Sequence, residues 1–118
     1  MKPTLFDSEL KLMELLWAAE PISAKELSLA AAREIGWNKN TTYTILKKLV
    51  DKGVVARNDP GFLCTALASR DEVQKAETER LVDRLYNGSK KALFSALLED
   101  EALSAADLEE LRALLKER

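Results

Sequence analysis

The sequence predicts a mainly α fold with a small β-hairpin: a winged helix-turn-helix followed by a three-helix dimerisation domain. Three observations predict it. Three amphipathic segments come first, each bounded by capping or breaking residues. Two short β-prone runs then flank Asn58-Asp59-Pro60-Gly61, a strong turn sequence. Three further amphipathic segments rich in Leu fill the rest of the chain.

The first helix is expected over 8–18. Leu12, Met13, Leu16 and Trp17 recur on one face, Leu5 and Phe6 lead in, and Glu9, Lys11 and Glu14 are placed toward water. Glu20-Pro21 ends it, because a residue before proline is driven out of the helical region. Ser23-Ala24-Lys25-Glu26 opens the second helix as a capping box, with Ser oxygen taking the N3 amide and Glu returning to the Ser amide. That helix runs to Glu34 and stops at Gly36, with Leu27, Ala31 and Ile35 on one side.

The third helix follows the polar turn Trp37-Asn38-Lys39-Asn40, in which Asn38 or Asn40 supplies the cap. It reaches Lys52, and Gly53 stops it. At about 100° per residue, Thr42, Ile45, Leu46 and Leu49 share the inner face. Asn40, Thr44, Lys47, Lys48 and Asp51 point outward, flanked by Thr41 and Tyr43. Strands are expected at Val54–Arg57 and Phe62–Ala66.

Ser69-Arg70-Asp71-Glu72 is a second capping box, starting a helix that runs to Tyr86 and ends at Asn87-Gly88. The next helix starts near Ser89 and carries Leu93, Phe94, Leu97 and Leu98. The last opens with Ser104-Ala105-Ala106-Asp107 and carries Leu108, Leu111, Leu114 and Leu115. The expected domains are therefore 1–68, the winged helix, and 69–118, the helical remainder.

Composition excludes several function classes. With no histidine, catalytic triads and metal sites built on His are absent. The single Cys64 forms no intrachain disulfide and, within Phe62-Leu63-Cys64, reads as a buried small residue. No titratable cluster, Gly-rich phosphate loop or metal spacing stands out, so no enzyme, cofactor or metal is expected. No run approaches the roughly 18 apolar residues of a membrane span, and the opening residues lack a signal-peptide layout, so the expectation is a cytoplasmic protein with no membrane partner.

The net charge of −2 argues against nucleic acid, but its distribution does not. Within residues 39–57, Lys39, Lys47, Lys48, Lys52 and Arg57 face one acid, Asp51. In a winged helix the third helix enters the major groove. Its outer face has the side chains that the groove requires, since Asn pairs bidentately with adenine and a Thr methyl meets the thymine methyl. Lys47, Lys48 and Lys52 neutralise phosphates, and Tyr43 and Thr41 donate to phosphate oxygens. The candidate DNA-binding residues are thus Lys39, Asn40, Thr41, Tyr43, Thr44, Lys47, Lys48 and Arg57. Trp17 and Trp37 are expected as core anchors.

The helical remainder is too small to bury its own Leu-rich faces, and a second copy of the chain is the simplest cover. The candidate dimerisation residues are Val73, Leu81, Leu85, Leu93, Phe94, Leu97, Leu108 and Leu111. A dimer presents two recognition helices to two half-sites about one helical turn apart. The rival reading is a winged-helix protein-interaction module without direct DNA binding.

At this point the chain resembles the penicillinase-repressor family of bacterial transcriptional regulators (BlaI/MecI/CopY type). The resemblance rests on Glu9–Trp17, Ile22–Leu27, Gly36-Trp37, Asn40–Leu49, Lys52–Val55 with Arg57, Ser69–Glu72, Arg84–Ser89 and Leu103-Ser104, in that order and spacing. It implies a repressor bound as a homodimer to a palindromic double-stranded operator of inverted TACA/TGTA style. It also implies operator contacts at the positions matching Asn40, Thr41, Thr44 and Lys47, with the wing on the backbone. In β-lactam-responsive members the resemblance also implies an inactivating protease as a partner, which cleaves an Asn–Phe bond; this chain departs there, with Ala96–Leu97 at the matching position. Two further departures stand out. The wing is about two residues short and carries Gly61-Phe62 where many members have Gly-Arg, which leaves Arg57 as its cation. The paired Cys-x-Cys motifs of copper-responsive members are missing.

Overall fold

The computed structural model of the chain describes residues 4–99 and 103–117. In order, the elements are α1 (Asp7–Ala19), β1 (Ile22–Ser23), α2 (Ala24–Glu34), α3 (Lys39–Asp51), β2 (Val55–Asn58), β3 (Leu63–Ala66), α4 (Arg70–Tyr86), α5 (Lys90–Leu98) and α6 (Ala105–Lys116). This is the mainly α fold with a small sheet that the sequence predicts, with one strand more than expected. β1 pairs antiparallel with β3, Ile22 opposite Cys64 and Ser23 opposite Leu63, so the sheet order is β1-β3-β2. Two residues carry no readable periodicity, and their partner lies about forty residues away in sequence.

One hydrophobic cluster holds the first unit together. Leu12, Met13 and Leu16 of α1, Leu27 and Ala31 of α2, and Leu46 and Leu49 of α3 meet Val54, Val55 and Cys64 at the sheet. Trp17 and Trp37 pack against this cluster as expected, and the Trp17 indole Nε1 donates to the Ala68 carbonyl at 3.0 Å. Burial pushes the Cys64 thiol pKa up, opposed by the nearby Arg57 charge.

Local chemistry sets the helix ends. Asn38 Oδ1 accepts the Thr41 amide at 2.8 Å, which fixes the start of α3. α3 ends in a Schellman motif: the Gly53 amide donates to the Val50 carbonyl and the Val54 amide to the Leu49 carbonyl. Gly53 sits at φ +77°, a conformation that disfavours any side chain. The boxes at Ser69/Glu72 and Ser104/Asp107 close in both directions. At α2 only the forward bond, Glu26 amide to Ser23 Oγ, is present among the described residues.

Glu9 departs from its expected water-facing position and is 1% exposed. The reason lies at the N-cap of α1, where Phe6 offers no side-chain oxygen. Glu9 turns back instead: its Oε1 accepts the Phe6 amide at 2.8 Å and the Lys52 ammonium at 2.6 Å. Lys52 Nζ also donates to the Thr4 carbonyl at 2.8 Å and lies 4.6 Å from the Phe6 ring centroid.

The chain forms two compact units, one up to Glu77 and one from Thr78. The first takes in the opening turns of α4, because Val73 joins its core and Arg70 Nη2 meets Glu14 Oε2 at 2.8 Å. The boundary expected from residue patterning, 68/69, falls earlier, where the hairpin ends. In the second unit, α4 stops at Asn87 and Gly88, both at positive φ. Ser89 Oγ then caps α5 by accepting the Ala92 amide at 3.0 Å.

Candidate nucleic-acid interface

The interface is built on α3, whose two faces separate as the helical angles require. Thr42, Ile45, Leu46 and Leu49 are buried, and the Thr42 hydroxyl lies 3.4 Å from the Asn38 carbonyl. Asn40, Thr44, Lys47 and Lys48 are exposed, and Thr41 and Tyr43 are half-buried beside them. Thus the residues expected to read and grip DNA share the outer face of a helix anchored from beneath.

The charges differ in how they are held. Lys39 sits over the Tyr43 ring, 5.7 Å from its centroid. Lys47 lies 4.0 Å from Asp51, one turn along an exposed face, a weak pair in water. Lys52, expected to neutralise phosphate, is instead committed to Glu9 and the Thr4 carbonyl. With Glu9 placed in water, residue patterning offered Lys52 no such partner.

The wing is the β2–β3 hairpin, with Val55 opposite Ala66 and Asn58 opposite Leu63. Arg57 is exposed and held on two sides. Its guanidinium lies 3.9 Å from the Phe62 ring centroid, and its Nε is 3.3 Å from the Asp59 carboxylate. The Phe62 ring meets Tyr43 edge-on at 6.3 Å and 78°. An open groove of about 330 Å³ runs between α3 and the wing, lined by Tyr43, Lys47, Val50, Asp51, Arg57 and Phe62. A second groove, about 230 Å³, brings Lys25 of α2 beside Asn38 and Lys39. Nothing in the sequence singled out Lys25, because it stands alone in the first turn of α2, away from the basic run.

The expected dimerisation residues divide. Val73 is buried in the core of the first unit and is unavailable to a partner, which corrects its grouping with the others. It faces inward because Ser69, Arg70 and Glu72 fix the first turn of α4 against α1 and the hairpin end. Leu81, Leu93 and Leu111 are half-buried, whereas Leu85, Phe94, Leu97 and Leu108 are exposed. Neither α5 nor α6 contains a buried residue. The Ala96–Leu97 bond lies inside α5, with both residues exposed.

Comparison with known proteins agrees with this geometry. The family model described as Penicillinase repressor matches residues 5–117. A penicillinase repressor of Bacillus licheniformis is 26% identical over 117 residues, covering 98% of this chain and 91% of its own length. The methicillin resistance regulatory protein MecI of Staphylococcus aureus (strain N315) is 23% identical over 113 residues, covering 94% and 92%. Among solved structures, the monomeric form of Bacillus licheniformis BlaI in complex with the blaP half-operator aligns with a TM-score of 0.54 and 24% identity. That alignment spans 61% of this chain and 90% of the other, and it establishes a shared fold.

Proposed function

The chain belongs to the penicillinase repressor family, and from that premise we propose that it is a DNA-binding transcriptional repressor acting in the cytoplasm. The observation that carries this reading is the outer face of α3. Asn40, Thr44, Lys47 and Lys48 are exposed to water over a buried face of Thr42, Ile45, Leu46 and Leu49. Asn40 and Thr44 offer base-edge contacts, and Lys47, Lys48 and Arg57 offer phosphate contacts. The BlaI structure was determined on a half-operator, which supports the same use of the fold here. The relatives named above are repressors or regulatory proteins, which supports a role without catalysis.

The second part of the proposal is a homodimer held through the second unit. Leu85, Phe94, Leu97, Leu98, Leu114 and Leu115 are exposed there. Apolar faces of that extent on three helices favour a symmetric partner of the same kind. The dimer occupies a palindromic operator and excludes polymerase from the promoter. A signal that breaks the dimer releases the operator, because each head alone loses the benefit of linkage. Proteolysis is one such signal, although the bond at the position of the Asn–Phe pair cleaved in β-lactam-responsive members is here Ala96–Leu97, exposed in α5.

The test is titration of the full chain onto a duplex carrying an inverted TACA/TGTA repeat and onto a scrambled duplex, at two salt concentrations. Preference for the repeat that weakens with salt supports the repressor, because phosphate neutralisation releases counterions. Equal, salt-insensitive binding to both duplexes moves the protein-interaction reading to first place.

A further inference from the structure

We propose that Phe62 is a positioning residue for DNA binding: it holds the wing cation Arg57 and the recognition helix α3 as one contact surface. The inference rests on the DNA-binding reading above and extends it to a residue that cannot itself bind phosphate. Phe62 adopts φ +49°, in the left-handed region that side-chain-bearing residues seldom occupy. That conformation does three things at once. The Phe62 carbonyl accepts the Ala24 amide at 2.9 Å, tying the hairpin to the first residue of α2. Its ring meets Tyr43 of α3 edge-on at 6.3 Å. Its face carries the Arg57 guanidinium at 3.9 Å.

Arginine stacks well on an aromatic face because its planar cation is weakly hydrated and attracted by the ring quadrupole. Stacking fixes a long side chain that would otherwise lose rotamer freedom on meeting a phosphate. Asp59, 3.3 Å from Arg57 Nε, constrains the same side chain from the turn. Through Tyr43 the ring also sets the wing against the helix that carries Lys47, and both Lys47 and Arg57 line the groove between them. Loss of the ring therefore costs the DNA contact of Arg57 although its charge is untouched.

The experiment compares the full chain with Phe62→Leu, Phe62→Tyr, Arg57→Ala and the double variant Phe62→Leu/Arg57→Ala on the inverted-repeat duplex across several salt concentrations. Thermal unfolding serves as the fold control. Arg57→Ala is expected to weaken binding and reduce the salt slope by about one. Phe62→Leu is expected to do the same, with about tenfold lower affinity, and Phe62→Tyr to match the parent. The double variant is expected to bind no more weakly than the weaker single one, since the two residues act together. Parent affinity and slope in Phe62→Leu, or additive losses in the double variant, overturn the positioning role alone. A parent chain without salt-dependent preference for the repeat overturns the DNA reading and this role with it. If Phe62→Leu does not fold, the Arg57 side-chain proton resonances of the parent decide. An upfield ring-current displacement supports the stacking, and ordinary positions overturn it.

Discussion

Lys52 and Glu9 join the end of α3 to the first turn of α1 through a single contact, Nζ to Oε1 at 2.6 Å. The carboxylate is buried, and its second oxygen, Oε2, accepts no hydrogen bond among the described residues. A buried charge without its counter-charge is far more costly than no charge at all. Lys52→Met keeps the apolar stem but strands Glu9, so stability should fall by about 3 kcal/mol. Replacing both partners, as Glu9→Leu/Lys52→Met, should restore most of that loss. Urea unfolding of the parent and both variants checks this, and a Lys52→Met chain as stable as the parent would refute it.

The same contact removes Lys52 from the DNA-facing charges. Lys47, by contrast, stands on the exposed face of α3 with only a 4.0 Å surface pair to Asp51. Lys47→Ala should lower the salt slope of operator binding by about one. The Glu9→Leu/Lys52→Met variant should retain the parent slope. Salt titrations of both on the same duplex make the comparison, and a reduced slope in the double variant would return Lys52 to the interface.

These contacts show where the sequence was legible. The inward set of α3 and its outward polar set follow from residue spacing alone, because an amphipathic helix on a core has one orientation. Turn and cap chemistry is likewise local, which is why Asn38, Gly53 and the boxes at Ser69 and Ser104 appear where the residue types place them. What escaped the sequence is non-local. β1 exists because β3 offers it an edge, Glu9 turns in to the Phe6 amide where Lys52 meets it from about forty residues away, and Phe62 packs against Tyr43 and Arg57. Val73 was misgrouped for the same reason, since a helix face shows that it is apolar but not which surface covers it.

Cys64 gives a pH dependence with a definite sign. Burial raises its thiol pKa in the folded chain above the unfolded value, and Arg57 offsets part of that rise. The folded state therefore holds the proton more tightly. The contribution to stability is complete below the unfolded thiol pKa and is lost as pH rises through the higher folded value. Relative to Cys64→Ala, the parent should lose stability across that alkaline window and show no difference in pH slope below it. Denaturant unfolding of the two chains in steps from neutral to alkaline pH is the measurement. Parallel curves throughout would show that the thiol is not differentially ionised.

The exposed face of the second unit bears on assembly. Leu97 and Phe94 are exposed on α5, and α6 adds Leu114 and Leu115. If a second copy covers this face, one charge placed within it must be buried without a partner in the dimer but stays hydrated in the monomer. Leu97→Glu should therefore leave the winged helix folded and shift the chain to monomer in sedimentation velocity at micromolar concentration. Binding to a single half-site should be unchanged, because α3 and the wing are untouched. Binding to the full palindrome should fall by about 10²-fold or more, since the second head no longer benefits from the effective concentration that linkage supplies. A Leu97→Glu chain that stays dimeric places the interface elsewhere. A parent chain that is monomeric at the same concentration removes linkage between the heads as the source of operator affinity.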